Sequence, residues 1–153
     1  MNAMYSILII EDNVSKLEKV TKLCTELIPN AQITAKKSYN AALQEVVYNG
    51  MKYRVILLDV SMYTYDFTKD ENGGEPEPLA GSNILRMMKL RHISTPVIVV
   101  TMYENFADGI KIAALDKKFR EEYKNVYKGF VYYNVRNEDW KIQLNNKIKE
   151  VLL

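Results

Sequence analysis

Short apolar runs rich in β-branched residues punctuate this chain. Tyr5–Ile10 (YSILII), Arg54–Asp59 (RVILLD) and Pro96–Thr101 (PVIVVT) are strong, Ala31–Ala35 (AQITA) is weaker, and Gly129–Tyr133 (GFVYY) is the fifth. Near-continuous runs of this length suit strands buried on both faces, as in parallel sheets. Helical periods lie between them. Val14, Leu17, Val20, Cys24, Leu27 and Ile28 form one stripe, opened by Asn13 as N-cap and stopped by Pro29. Asn40–Asn49 is a shorter helix that Gly50 ends, and Ser82–Arg91 follows with Ile84, Leu85, Met88 and Met87 turned inward. Asn105–Lys124 reads as a longer charged helix with a break near Asp116; Trp140, Leu144, Ile148, Val151 and Leu152 give the last helix its seam.

Strand and helix thus alternate five times. That order predicts an α/β fold, (βα)5, with helices on both faces of a parallel sheet, because right-handed crossovers place them there. Periodicity does not fix the strand order. Two stretches exceed a minimal pattern. Tyr63–Pro78 (YTYDFTKDENGGEPEP) reads as an exposed inserted loop, and Lys117–Lys128 is dense in charge and tyrosine. The expected organisation is one domain over 4–153, with Met1–Ala3 read as an added remnant ahead of Met4.

Composition narrows this picture. With 153 residues, 48% hydrophobic and 26% charged, the chain can bury one sizeable core. A net charge of +2 gives no ground for nucleic-acid binding, and the Lys141, Lys147 and Lys149 group reads as a solvated helix face. The lone Cys24 excludes an internal disulfide and a multi-cysteine zinc site, and reads as an inert core thiol. No apolar run is long enough to span a membrane, and no signal peptide opens the chain, so a cytoplasmic location is expected. His92, the sole histidine, falls near a helix end, where capping or solvation is expected rather than catalysis.

In open α/β sheets, ligands bind beyond the carboxyl ends of the strands. There the first run ends in Glu11-Asp12, the third in Asp59, the fourth in Thr101 and the fifth in Tyr133-Asn134. Three converging carboxylates repel unless a cation neutralises them, and oxygen-only ligands suit Mg²⁺.

ILIIEDN, VILLDVSM and VIVVT resemble the signature stretches of response-regulator receiver domains, from Tyr5 to Leu152. The resemblance implies a flavodoxin-like (CheY-like) five-stranded parallel sheet. It further implies Mg²⁺ held by Glu11, Asp12, Asp59 and the Ser61 carbonyl, with Asp59 as the phosphoryl acceptor. Thr101 would contact the phosphoryl group, Phe130 would change rotamer with it, and Gly81 would open the third helix. The implied function is that of a single-domain receiver in two-component phosphorelay signalling. The implied partners are a sensor histidine kinase or phosphotransfer protein and a downstream protein target. No output domain is expected after the last helix, and the only chemistry implied is Mg²⁺-dependent phosphorylation of its own aspartate.

The sequence departs from the family in three places. Tyr133 and Asn134 stand where Lys-Pro should end the fifth strand, and Lys128 or Arg136 are the nearby substitutes the sequence offers. Met102 replaces a small residue beside Thr101, where its side chain would narrow access to Asp59. Tyr63 replaces a proline where the inserted loop begins. These departures leave open a second reading, a pseudo-receiver that binds partners without phosphorylation. Tyr63, Tyr65, Tyr103, Tyr123 and Tyr127 fall in or near the enlarged connections, where they suit either a partner surface or packing.

Overall fold

The computed structural model describes residues 5–63, 76–77, 79–102 and 111–153. Five parallel strands form the main sheet: β1 (Ser6–Ile10), β2 (Gln32–Lys36), β3 (Val55–Leu58), β6 (Val97–Thr101) and β7 (Tyr127–Tyr132), in the order β2-β1-β3-β6-β7. That order is the flavodoxin-like one, whose switch point lies between β1 and β3. Two short strands, β4 (Met62–Tyr63) and β5 (Pro76–Glu77), pair antiparallel at the stems of the inserted segment. The rest of that segment lies outside the described residues.

Side chains alternate across the sheet because successive strand residues point to opposite faces. Leu8, Ile10, Ile56, Leu58, Val97 and Val99 meet one helical layer, formed by α2 (Tyr39–Asn49), α3 (Ala80–Leu90) and α4 (Ile112–Glu122). Ile7, Ile9, Val55, Leu57, Ile98 and Val100 meet the other, formed by α1 (Val14–Leu27) and α5 (Asp139–Leu152). Both faces of the central strands are therefore dry, which explains their unbroken apolar runs.

Helix limits follow the local chemistry. Asn13 caps α1, its side chain accepting from Lys16 N, and Ser38 caps α2 by accepting from Ala41 N. The α2 helix ends at Asn49 with Gly50 as its C-cap, as expected, and Gly50 keeps right-handed dihedrals that lead on into a 3-10 turn. The α4 helix runs unbroken through Asp116, which accepts from Arg120 one turn on and from the Tyr127 hydroxyl. The expected break is absent because that carboxylate bonds a following turn and a strand rather than the local backbone. The expected 105–110 part of that helix lies outside the described residues.

One further expectation changes, and one open choice is decided. Val14 is exposed, and the buried face of α1 is Lys16, Leu17, Val20 and Cys24. Tyr123 and Tyr127 are core residues around Phe119, with ring centroids 5.9 and 5.3 Å from it, so packing accounts for them. The fifth strand begins at Tyr127, two residues before the apolar run, and bulges at Gly129. Val97 pairs with Tyr127 but Val99 with Phe130, and Gly129 takes φ +107°, which favours glycine. That bulge sets the register that brings Tyr132 opposite Thr101. His92 also has positive φ, +57°, just past the end of α3, and Ile93 N–H donates to Met88 O at 2.9 Å. It is a helix-ending residue, as the sequence suggested.

Candidate functional site

β1 and β3 deliver Glu11, Asp12 and Asp59 to the switch point. The strands are in direct register, Ile10 beside Leu58, so the residues that follow them emerge together. Ligand oxygens of the three carboxylates lie within 4.8 Å of one another. Glu11 and Asp59 are buried, and Asp12 is half-buried. A hard, oxygen-only set of this kind suits a divalent cation such as Mg²⁺.

The turn after Asp59 is held closely. Asp59 Oδ1 accepts from Val60 N–H at 2.7 Å, and Gly81 N–H donates to Val60 O at 2.8 Å. A Cβ on Gly81 would stand 2.8 Å from Val60 Cα and 2.9 Å from Asp59 O. The glycine thus lets the first turn of α3 close against the backbone of the Asp59 turn. Ser61 follows in the same turn, half-buried.

The cation at this site is one the sequence reading missed. Lys16, on the first turn of α1, is 1% exposed. Its Nζ pairs with Glu11 Oε2, donates to Asp59 Oδ2 at 3.1 Å and donates to Val100 O at 2.6 Å. Its backbone is tied to the same place, because Lys16 N–H donates to Asn13 Oδ1 while Asn13 N–H donates to Glu11 Oε1. Burial opposes the ammonium charge, but Asp59 and Glu11 outweigh it and hold Lys16 above the ordinary lysine value. Burial, then the Asp59 charge, pushes Glu11 up to about 8 against the pull of Lys16.

Lys128 and Arg136 take no part in this arrangement: both are exposed, on β7 and in the β7–α5 turn. Tyr133 directly follows β7, its N–H donating to Thr101 O at 2.8 Å. Its ring is buried on Trp140 with centroids 4.7 Å apart, and Lys16 Nζ stands 5.9 Å from the ring centroid. Aromatic volume fills the strand-end position, and charge enters from α1. A lysine four residues before Val20 and eight before Cys24, on the apolar face of a capped helix, was the readable signal.

Thr101 is fully buried at the end of β6. Phe130 lies opposite Val99 and Tyr132 opposite Thr101, so all four share one face of the sheet. Phe130 is half-buried against the α2–α4 layer. Met102 is half-buried against the other layer, with α1 and α5. Cys24 is buried with its thiol pushed up to about 12 by burial, an inert core thiol.

No family model matches the sequence. The Detocs response regulatory protein DtcB of Enterobacter cloacae is 32% identical over 150 residues, which cover 95% of this chain and 99% of that protein. The chemotaxis response regulator CheY4 of Vibrio cholerae superposes with a TM-score of 0.61 at 15% identity, over 98% of this chain and 100% of the other. The receiver domain of the Pseudomonas aeruginosa sensor histidine kinase PA1611, solved with magnesium in its active-site cleft, gives 0.62 at 15% identity over 97% and 98% of the two chains. At such identities the two structures speak for the fold. Kinship with DtcB along nearly the whole of both chains goes further: this chain belongs to the CheY-like response-regulator receiver family.

Proposed function

We propose that the chain is a phosphorylatable receiver that takes a phosphoryl group on Asp59 and passes the signal by protein contact. The observation that carries this reading is the convergence of Glu11, Asp12 and Asp59 at the β1/β3 switch point. When bound to Glu11, Asp12, Asp59 and the Ser61 carbonyl, Mg²⁺ would supply charge neutralisation for the group in transfer.

The chain's own residues do the rest. A carboxylate oxygen of Asp59, oriented by the Val60 N–H, attacks phosphorus on a phosphohistidine of the donor protein. The P–O bond to Asp59 forms and the P–N bond breaks, its electron pair leaving with the imidazole, which takes up a proton. Thr101 then turns its hydroxyl to the new phosphoryl oxygens, and Phe130 fills the space on the shared face. The surfaces around β6 and β7 thereby report the state of Asp59 to a downstream protein.

One observation favours the pseudo-receiver reading instead. Asp59 is 2% exposed and already bonded through both oxygens, to Lys16 and to the Val60 N–H. Intact-mass measurement after incubation with Mg²⁺ and acetyl phosphate separates the two. A phosphate-sized adduct absent from Asp59→Asn is the expected result. No adduct, from acetyl phosphate or from a phosphorylated histidine kinase, would establish the contact module.

A further inference from the structure

The strand-end position of β7 holds an aromatic ring, yet the acidic site still has a buried ammonium. Lys16 spends its contacts on Glu11, Asp59 and the Val100 carbonyl, so its charge is fixed at the oxygen of the proposed nucleophile. It is a built arrangement, not the chance swing of a long side chain. The Asn13 cap fixes its backbone to Glu11, and Ile9, Leu57 and Val100 close the space beneath it. Tyr133 closes the β7 side, its ring facing the ammonium.

We propose that Lys16, delivered by α1, is the residue that contacts the phosphoryl oxygens on Asp59, in place of a lysine at the end of the fifth sheet strand. This inference rests on the receiver reading above. No bond to Lys16 forms or breaks. Its Nζ keeps the Asp59 side and exchanges its Glu11 contact for a non-bridging phosphoryl oxygen, a charge-assisted hydrogen bond in a dry site. Before transfer, the same ammonium occupies Glu11, so it competes with a divalent cation for that carboxylate. Lys16 therefore has opposite effects on two ligands: it weakens Mg²⁺ alone and strengthens the phosphoryl group.

Calorimetric titration of the full chain with Mg²⁺ alone, and with beryllofluoride at saturating Mg²⁺, reads both effects without turnover. Lys16→Met keeps the length and apolar stem of the side chain. It is expected to bind Mg²⁺ as tightly as the unsubstituted protein or more tightly, and beryllofluoride at least tenfold more weakly. Adding Tyr133→Lys to Lys16→Met returns a cation from the strand end and is expected to recover most of the beryllofluoride affinity. Beryllofluoride affinity within twofold of the unsubstituted protein in Lys16→Met would overturn the inference. So would a parallel fall in both affinities that Tyr133→Lys leaves unchanged, the mark of a purely structural lysine. If the unsubstituted protein binds neither ligand and gains no adduct, the receiver reading fails and this inference goes with it. An adduct at Asp59 with an indifferent Lys16→Met overturns the inference alone.

Discussion

The carboxyl edge of the sheet has two halves of opposite character. Over β1 and β3 it is built of oxygen and charge, with Glu11, Asp12 and Asp59 gathered around the Lys16 ammonium. Over β7 it is aromatic: Tyr133 is buried on Trp140, and no charged side chain of that strand turns into the site. The two halves meet where Lys16 Nζ faces the Tyr133 ring. A buried cluster of carboxylates must have a counter-charge somewhere nearby, but physics does not dictate which element supplies it. Once α1 provides the ammonium, the strand end is released to pack.

The largest effects should show the two halves obeying different rules. Trp140→Ala removes the floor under Tyr133 and should cost about 3–5 kcal/mol in urea unfolding, with or without Mg²⁺, because the loss is one of packing. Lys16→Met should cost about as much, roughly 3–5 kcal/mol, in chelator, where it leaves buried carboxylates without their partner. With Mg²⁺ in excess most of that loss should vanish, since a ligand that binds only the folded state stabilises it. Equal losses for Lys16→Met in chelator and in Mg²⁺ would remove the distinction between the halves.

A smaller effect comes from Glu11. Its folded pKa, about 8, lies above the ordinary value of 4.5 that it has when unfolded. The folded state holds the extra proton between those values, so the contribution is complete below about 4.5 and is lost as pH rises through about 8. In chelator, raising the pH from about 5.5 to 8 should cost about 2–3 kcal/mol at ~1.4 kcal/mol per pKa unit. Glu11→Gln should flatten that slope, measured as Tm against pH. Lys16 acts in a different window, because its raised pKa gives stability that is lost only above the ordinary lysine value of 10.5.

The carboxylates and Tyr133 were legible in the sequence and the Lys16 ammonium was not, for a physical reason. Parallel strands in direct register carry their chain positions to one edge, so Glu11 and Asp59 follow from two apolar runs alone. Tyr133 was correctly placed at the strand end, but the source of the replacement cation depends on how a helix is rotated. That rotation is set by which residues of α1 bury: Leu17, Val20 and Cys24 do so as the stripe predicts, but Val14 is exposed and Lys16 joins the buried face. A buried lysine also defeats hydropathy patterning, which assigns every lysine to solvent unless a partner is known. The partners, Glu11 and Asp59, are 5 and 43 positions from it in the chain, and only the fold brings the second within reach. The break imagined in α4 failed likewise, because Asp116 finds its partners one turn on and on β7.

The finest test of the comparison is Tyr133→Phe. Within the described residues the Tyr133 hydroxyl is buried with no hydrogen-bond partner, while its ring meets both Trp140 and the Lys16 ammonium. If this half of the edge is aromatic in function as well as composition, the ring matters and the hydroxyl does not. Deleting the hydroxyl removes a desolvated dipole and leaves the packing in place, so stability should be unchanged or higher by up to about 1 kcal/mol. That corresponds to a Tm rise of at most roughly 2–4 °C for a chain of this size. Beryllofluoride affinity should stay within twofold, since Lys16 stands over the ring and the hydroxyl bonds none of the described residues. A loss above about 1 kcal/mol, or a weaker beryllofluoride complex, would show the phenol to be a polar member of the site. The edge would then be polar throughout, with Tyr133 and Lys16 dividing between them the work of one strand-end lysine.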